Sequence, residues 1–553
     1  MAASTATPAA TPAAGAGAGA PHEDLIIDEE NNVLEDEEQD DSPEHEHAVS
    51  VPEETGEGGK LKMIVQLVKR CFGVKDIASM RLSLPASLLE PIPNLEYWHY
   101  LDRPDLFAAI NDSEDPFERM LAVLRFTFSK DLRHIRGKVC KPYNSVLGEH
   151  FRAHWDIIPV SYSSDPNHPP IQHHHLLPGA STLSPPRPKS EAGSIRSGKK
   201  GGVGGLLSGW STTALDRASD SPVESNASAQ YSTLSLATTG GASTTSSPTP
   251  SSGGGDGAAR VRVVYLTEQV SHHPPVSSFR AACPARHLAL AGVDQIAAKV
   301  TSTAAVRIGA GEQNRGLFVT VAGGHGAGET YHATHPVAHV NGILRGNFYV
   351  TMGEATVVTC SREGASGEQL RAVVEYKEES WLGKPQFAVE GVVHTYDPAR
   401  GEHAEWTRPK HVPRSRVRAE IAGSWRGLVR WRRAGAAEWH TLIDLGALAV
   451  VPKAVRAVER QEERESRRLW DAVTRRLVAK EYGEATRAKV TIEQRQREEA
   501  AERKKRGVEF IPRYFEKDAS DGIPVLTKEG EQALAEELAE EAEFPLEAAP
   551  VPA

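Results

Sequence analysis

The sequence predicts a mainly β protein with flanking helices, an α+β chain built on one large antiparallel sheet or barrel. Between Arg260 and Leu448, short alternating apolar runs recur, broken by Gly, Pro and Asn. That is the pattern of half-buried strands. The number of runs points to a large antiparallel sheet or barrel rather than a βαβ fold. From Val455 to Arg506 the pattern turns helical and highly charged.

Residues 1–59 are acidic and of low complexity, which predicts a disordered tail. Order is expected to begin near Lys60. Leu61, Ile64, Val65, Val68 and Phe72 fall on one helical face flanked by Lys62, Lys69 and Arg70. A short amphipathic helix of this kind suits a membrane surface or the cover of a pocket. Three prolines divide Leu82–Trp98 into extended pieces. Over Asp115–Leu132 a helix is predicted. Asp115 is its N-cap, Pro116 its first residue, and Phe117, Met120, Leu121, Leu124 and Phe128 form one face.

Residues 160–258 are rich in Ser, Thr, Gly, Pro and Ala and poor in large apolar residues, so no core can come from them. They read as a disordered insertion within a domain spanning 60–517. Strands are predicted over Val261–Leu266, Leu317–Val321, Phe348–Met352, Leu370–Tyr376 and Phe387–His394. Residues 518–553 read as an acidic C-terminal tail with a short helix over Glu529–Glu543.

Charge is distributed unevenly. Residues 1–59 hold 16 acidic and no basic residues, and 518–553 hold ten acidic and one basic, so the 60–517 body carries +14 of a chain total of −11. A basic body suits an anionic partner, either a membrane surface or nucleic acid. Nucleic acid is disfavoured, because no recognised motif or aromatic–basic interleaving accompanies the charge. The four cysteines form no CxxC pair and no zinc-ligand spacing, which fits a reduced cytosolic compartment. The N-terminus lacks the pattern of a signal peptide, and no run of about 18 apolar residues is present to span a bilayer. Membrane contact is therefore expected to be peripheral.

Ser271-His272-His273-Pro274-Pro275 carries the most suggestive chemistry. Two prolines fix φ and remove two backbone donors, so the chain is expected to be stiff and extended just past the Val261–Leu266 strand. Paired imidazoles can ligate a metal or hydrogen-bond a phosphate. A metal needs a third ligand at suitable spacing, and none is evident nearby, which leaves phosphate as the better fit. His173-His174-His175 looks like a metal tract but sits in the low-complexity insertion. No metal or cofactor is expected. No Gly-x-Ser-x-Gly elbow or metal triad is present, so no catalytic residues are assigned and no enzyme is expected.

The ten residues Glu268-Gln-Val-Ser-His-His-Pro-Pro-Val-Ser277 closely resemble the signature of the oxysterol-binding protein family. Lys141-Pro-Tyr-Asn-Ser-Val-Leu-Gly-Glu149 resembles a second family block. Gly423-Ser-Trp-Arg-Gly427, Leu442-Ile-Asp-Leu445 and Glu465-Ser-Arg-Arg-Leu-Trp470 resemble later ones, in the expected order. The resemblance covers about residues 60–160 and 259–517. It implies a near-closed antiparallel β-barrel with a lipid-sized tunnel, an N-terminal lid and a C-terminal helical region. The lid would be Lys60 to about Leu84. Exposing a sterol to water costs roughly 25 cal/mol per Å² of apolar surface, which is the reason a lid helps.

The resemblance also implies two exchangeable cargoes: a sterol or another membrane lipid, with phosphatidylserine the runner-up, and phosphatidylinositol 4-phosphate. Carried over to this chain, Lys141 and Asn144 match the family's headgroup-binding lysine and asparagine. His272 and His273 match its paired histidines on the 4-phosphate. Lys489, Glu493 and Arg497 match its late Lys, Glu and Arg at four-residue steps. Such steps share a helix face, so two cations can meet one phosphate. Glu149 is assigned a structural role. Ser145 stands where many relatives have proline, and around Asn341–Arg345 only part of a family strand motif is recognisable.

No pleckstrin-homology or ankyrin pattern precedes Lys60, so a short, fungal-type member is expected. The implied function is lipid exchange between membranes, with a lipid sensor or scaffold recruiting protein partners through 160–258 as the alternative. The implied location is the cytoplasm, peripherally at endoplasmic reticulum, Golgi or plasma membrane surfaces.

Overall fold

The computed structural model describes residues 89–540 except 131, 137–140, 164, 166, 167, 175–259, 303, 304, 344–348, 365, 366, 380–384, 518 and 520, together with Val65 and Ala86. The expected acidic N-terminal segment, the lid helix apart from Val65, and most of the 160–258 insertion lie outside the described residues.

Among the described residues, sixteen strands form two antiparallel sheets. They are β1 (His150–Ile157), β2 (Val261–His272), β3 (Pro275–Cys283), β4 (Leu288–Asp294), β5 (Ile296–Val300), β6 (Val306–Ala310), β7 (Leu317–Val321) and β8 (Glu329–Ala333). There follow β9 (Val337–Asn341), β10 (Tyr349–Gly353), β11 (Ala355–Arg362), β12 (Gln369–Tyr376), β13 (Ala388–Tyr396), β14 (Val417–Ser424), β15 (Leu428–Arg433) and β16 (His440–Asp444). Twelve strands run in the order β1-β2-β3-β4-β7-β8-β11-β12-β13-β14-β15-β16, and β10-β9-β6-β5 form the smaller sheet.

An open edge on β1 would leave backbone groups unpaired. The chain leaving β16 covers it. Ala454 and His154 exchange backbone hydrogen bonds of 2.8 and 3.1 Å, the His150 amide donates to Arg464 O at 3.1 Å, and the Trp155 indole donates to Val451 O at 3.2 Å. The twelve-stranded sheet is thereby nearly closed on itself, a near-closed antiparallel barrel.

The helices α1 (Asn94–Tyr97), α2 (Pro104–Ala108), α3 (Pro116–Ser129) and α4 (Leu132–Arg136) precede the barrel. α3 begins as the sequence predicts. The Phe117 amide donates to the Asp115 carboxylate at 2.9 Å, and Pro116 fills the first turn. The expected apolar face is buried, but so are Ala122, Val123 and Phe126. α3 therefore shares one core with strands from both ends of the sheet, including Trp155, Phe279, Val319, Ala372, Ile421 and Trp431. Full burial of each large side chain contributes about 1.5–3 kcal/mol. Polar groups on so buried a helix need partners. Arg119 Nε donates to Glu329 at 2.9 Å, and Arg125 Nε to Leu442 O at 3.0 Å.

After the barrel come α5 (Ser466–Leu469), α6 (Asp471–Val478), α7 (Tyr482–Arg506) and α8 (Lys528–Ala539). Three features differ from expectation. β2 runs on to His272, so His273-Pro274 is a hairpin turn between β2 and β3 rather than an extended segment past a strand end; the His273–Pro274 peptide is cis. Asn94–Tyr97, expected to be extended, is helical. Residues 161 and 171–174, expected in the insertion, pack onto the body: Ser161 pairs with Ile171, and the His174 ring accepts from the Ile158 amide at 2.6 Å.

The acidic stretch beyond 518, where a short helix over Glu529–Glu543 is expected, carries α8, which docks on β1 and β2. Ala533 and Leu534 pack on Val264 and Leu266. Glu537 is fully buried, with His154 Nδ1 at 2.7 Å and Arg456 at 3.1 Å. Gly530 permits the approach, since a Cβ there would sit 2.2 Å from Tyr514 O.

Candidate functional site

Residues 141–149 form a loop tied to the barrel on one side and to the post-barrel helices on the other. At its start, Lys141 and Asn144 are exposed, and Lys141 Nζ donates to Asn144 Oδ1 at 2.6 Å. Tyr143 between them is buried. Its ring lies 4.9 Å from Trp470, and its hydroxyl shares a 2.7 Å hydrogen bond with Thr474 on α6. At its end, Gly148 and Glu149 exchange backbone hydrogen bonds of 2.9 and 2.8 Å with Gln269 of β2. Gly148 has φ +77, and a Cβ there would stand 3.2 Å from Phe510. Arg464 adds a strut, donating to Leu147 O at 2.8 Å and to Glu499 of α7 at 2.6 Å.

Glu149 is the hub beneath this loop. One carboxylate oxygen accepts from the Val146 amide at 3.0 Å and the Trp470 indole at 2.9 Å, and the other accepts from the Ser466 hydroxyl at 2.7 Å. Burial pushes its pKa up to about 7, against the three hydrogen bonds that favour the anion. Glu268, inside the ten-residue motif, plays a parallel part. It is buried and accepts from the Arg513 and Tyr514 amides at 2.8 and 2.7 Å, and burial raises its pKa. These anchors are not evident from spacing. The one signal for them is that Glu149, Ser466, Trp470 and Glu268 all lie in the motif blocks.

Gln269 leads directly to the paired histidines. A bulge lies between Gln269 and Ser271, and Gln269 Nε2 donates to Ser271 O at 2.7 Å. Ser271 Oγ then closes the turn onto Pro274 O at 2.8 Å. His272 is half-buried and His273 exposed, with ring centroids 4.6 Å apart and edge-on.

On α7, Ala485, Ala488 and Ile492 pack with Tyr143, Val146 and Trp470. Steps of four residues advance about 40° around a helix, so the Lys489, Glu493, Arg497 series winds outward from that packed face. Burial follows the winding: Lys489 is buried, Glu493 half-buried and Arg497 exposed. Lys489 Nζ meets Glu493 at 2.6 Å, and Arg497 Nε donates to Gln494 at 3.2 Å. The structure thus joins Lys141 to Asn144 and Lys489 to Glu493. It links these two pairs and the histidine turn through the 141–149 loop.

Among the described residues there is no cluster of three or more His, Cys, Asp or Glu suited to a metal, and no helix long and apolar enough to cross a membrane. His173 and His174 bond to Ser161 Oγ and to the Ile158 amide; His175 lies outside the described residues.

The family described as "Oxysterol-binding protein" matches residues 63–178 and 257–535. The chain belongs to the oxysterol-binding protein family. "Oxysterol-binding protein-like protein 1" of Schizosaccharomyces pombe is 38% identical over 514 residues, 88% of this chain and 92% of that protein. Among solved structures, an Osh1 ORD domain in complex with cholesterol aligns at 17% identity and TM-score 0.49, covering 86% of this chain and 90% of that one. An Osh3 ORD from Saccharomyces cerevisiae in complex with PI(4)P aligns at 14% identity and TM-score 0.49, covering 86% and 93%. The family match resumes at 257, just ahead of β2, and spans every residue of the candidate site.

Proposed function

We propose that this chain is a non-vesicular lipid-transfer protein. It binds a sterol and phosphatidylinositol 4-phosphate by turns in the barrel and exchanges them between membranes. The observation that carries this reading is the 141–149 loop. One short segment bonds to β2 three residues before His272 and packs on the face of α7 that Lys489 flanks. A phosphomonoester carries nearly two charges and several acceptor oxygens. Lys141, Asn144, His272, His273, Lys489 and Arg497 supply donors suited to it. Glu493 positions Lys489 and accepts from an inositol hydroxyl.

The apolar part of either lipid lies in the barrel, where alternating strands turn one side chain in two inward. Binding and release need no chemical step, so the reading assigns no enzyme activity. The protein acts from the cytoplasm, contacting endoplasmic reticulum, Golgi or plasma membrane surfaces peripherally. Native mass spectrometry of the purified chain, offered sterol, phosphatidylserine and phosphatidylinositol 4-phosphate, tests this. Mutually exclusive loading of sterol and the phosphoinositide is expected. Simultaneous loading of both would refute a shared site, and phosphatidylserine in place of sterol would change the cargo.

A further inference from the structure

The segment leaving α7 sets large apolar side chains in solvent beside a run of cations. The last turn of α7 carries Arg503, Lys504, Lys505 and Arg506, and Gly507 ends the helix in the left-handed conformation at φ +63. Cations there complement the helix dipole. The dipole accounts for the charges but not for the apolar residues after them. Val508 is 49% exposed and Ile511 80%, the largest exposure among the large apolar side chains described. Phe510 between them turns inward, with Arg503 5.8 Å above its ring and Gly148 beneath it. Glu509 is paired with Lys517, so local acid offsets only part of the basic charge.

The position of this turn gives the pattern a direction. From Lys489 to Arg506 α7 runs roughly 25 Å. The chain then comes back to β2, where Glu268 holds the Arg513 and Tyr514 amides. The exposed turn therefore sits beside the 141–149 loop and close to the Glu268–Gln269 stretch of β2. Exposed apolar side chains next to a helix end with four successive cations match a lipid surface with anionic headgroups, where the chains insert and the cations meet phosphates.

We propose that the Val508–Ile511 turn and the cationic end of α7 form a membrane-contact patch for anionic bilayers, set beside the 141–149 loop. The patch rests on the lipid-transfer reading only for its purpose, not for its chemistry.

Vesicle flotation of the full chain tests it, using vesicles of phosphatidylcholine alone and of phosphatidylcholine mixed with phosphatidylserine, with no sterol or phosphoinositide present. Wild type is expected to float with the anionic vesicles. Val508→Asp with Ile511→Asp, and separately Lys504→Gln, Lys505→Gln and Arg506→Gln together, are each expected to reduce that binding roughly tenfold. All five side chains are exposed, so unchanged thermal unfolding is expected in both variants. Lipid loading by native mass spectrometry should also be unchanged. Wild-type flotation by both variants would overturn the patch. So would unchanged flotation combined with a shift from dimer to monomer in sedimentation, which would make a second copy the occupant. If wild type loads no lipid yet its flotation still depends on these residues, the patch stands and the transfer reading fails.

Discussion

The indole of Trp470 donates a 2.9 Å hydrogen bond to the buried carboxylate of Glu149, clamping the loop that bears Lys141 and Asn144 to the first turns after the barrel. All three of the donors on Glu149 are neutral, so nothing cationic offsets its burial. A folded-state pKa near 7, raised from the ordinary 4.5, has a fixed consequence. The folded chain keeps this proton where the unfolded chain has lost it. The stabilising contribution is therefore full below pH 4.5 and declines as pH rises to about 7. The amplitude is on the order of 3 kcal/mol.

Glu149→Gln should remove that dependence. Both N–H donors fall on one oxygen, which the amide oxygen can replace, and the amide NH₂ can donate to a rotated Ser466 hydroxyl. Urea unfolding across this pH range should show the difference between wild type and variant growing in the variant's favour as pH rises. An identical pH slope in both would place the proton elsewhere.

His272→Ala with His273→Ala should weaken phosphoinositide binding by roughly tenfold or more, since charge-assisted hydrogen bonds are the strong ones. Sterol binding should stay within about twofold and thermal unfolding should barely move, because the pair sits at a hairpin turn outside the barrel core. Isothermal titration with a short-chain phosphoinositide, beside a fluorescent-sterol assay, reads both.

Lys489 and Arg497 should separate stability from binding. Arg497 is exposed, so Arg497→Ala should lower phosphoinositide affinity and leave stability within about 0.5 kcal/mol. Lys489 is buried against Glu493, so Lys489→Ala should lower both affinity and stability, the latter by about 1–3 kcal/mol. Denaturant midpoints measured alongside binding distinguish the two patterns.

Glu537→Ala should be among the most destabilising single changes in the post-barrel region. It takes the buried carboxylate from His154 and from Arg456, which keeps Glu540 at 3.1 Å, at a cost of about 1–3 kcal/mol. Loss of α8 from the barrel should then appear as selective proteolysis after residue 517. A variant as stable as wild type would mean that α8 is not docked in solution.

Much of the sheet is legible in the sequence because its strands alternate. Leu317–Val321 and Leu370–Tyr376 lie within one residue of the observed bounds. The end of β2 is not legible, for a physical reason. Thr267, Glu268 and Gln269 look like loop residues, yet all three are buried with backbone-directed hydrogen bonds. The α8 helix is legible, starting within one residue of the expected Glu529, but its docking on the barrel is hidden in the same way. Its Glu537 reads as solvated acid until His154, 383 positions earlier, is placed beside it. The candidate site residues come from motif resemblance. Periodicity alone gives Lys489, Glu493 and Arg497 as an exposed salt-bridge stripe, because the Tyr143 and Val146 side chains that cluster with Ala485, Ala488 and Ile492 come from the distant 141–149 loop.

Exchange between two vesicle populations tests the central claim most directly. Donor vesicles carry a fluorescent sterol, acceptor vesicles carry phosphatidylinositol 4-phosphate, and both lipids are followed at once. Sterol is expected to move faster when the acceptor holds the phosphoinositide, the phosphoinositide to move back at a matching rate, and the His272, His273 double variant to lose this coupling. Equal sterol transfer with and without the phosphoinositide, by wild type and variant alike, would contradict it.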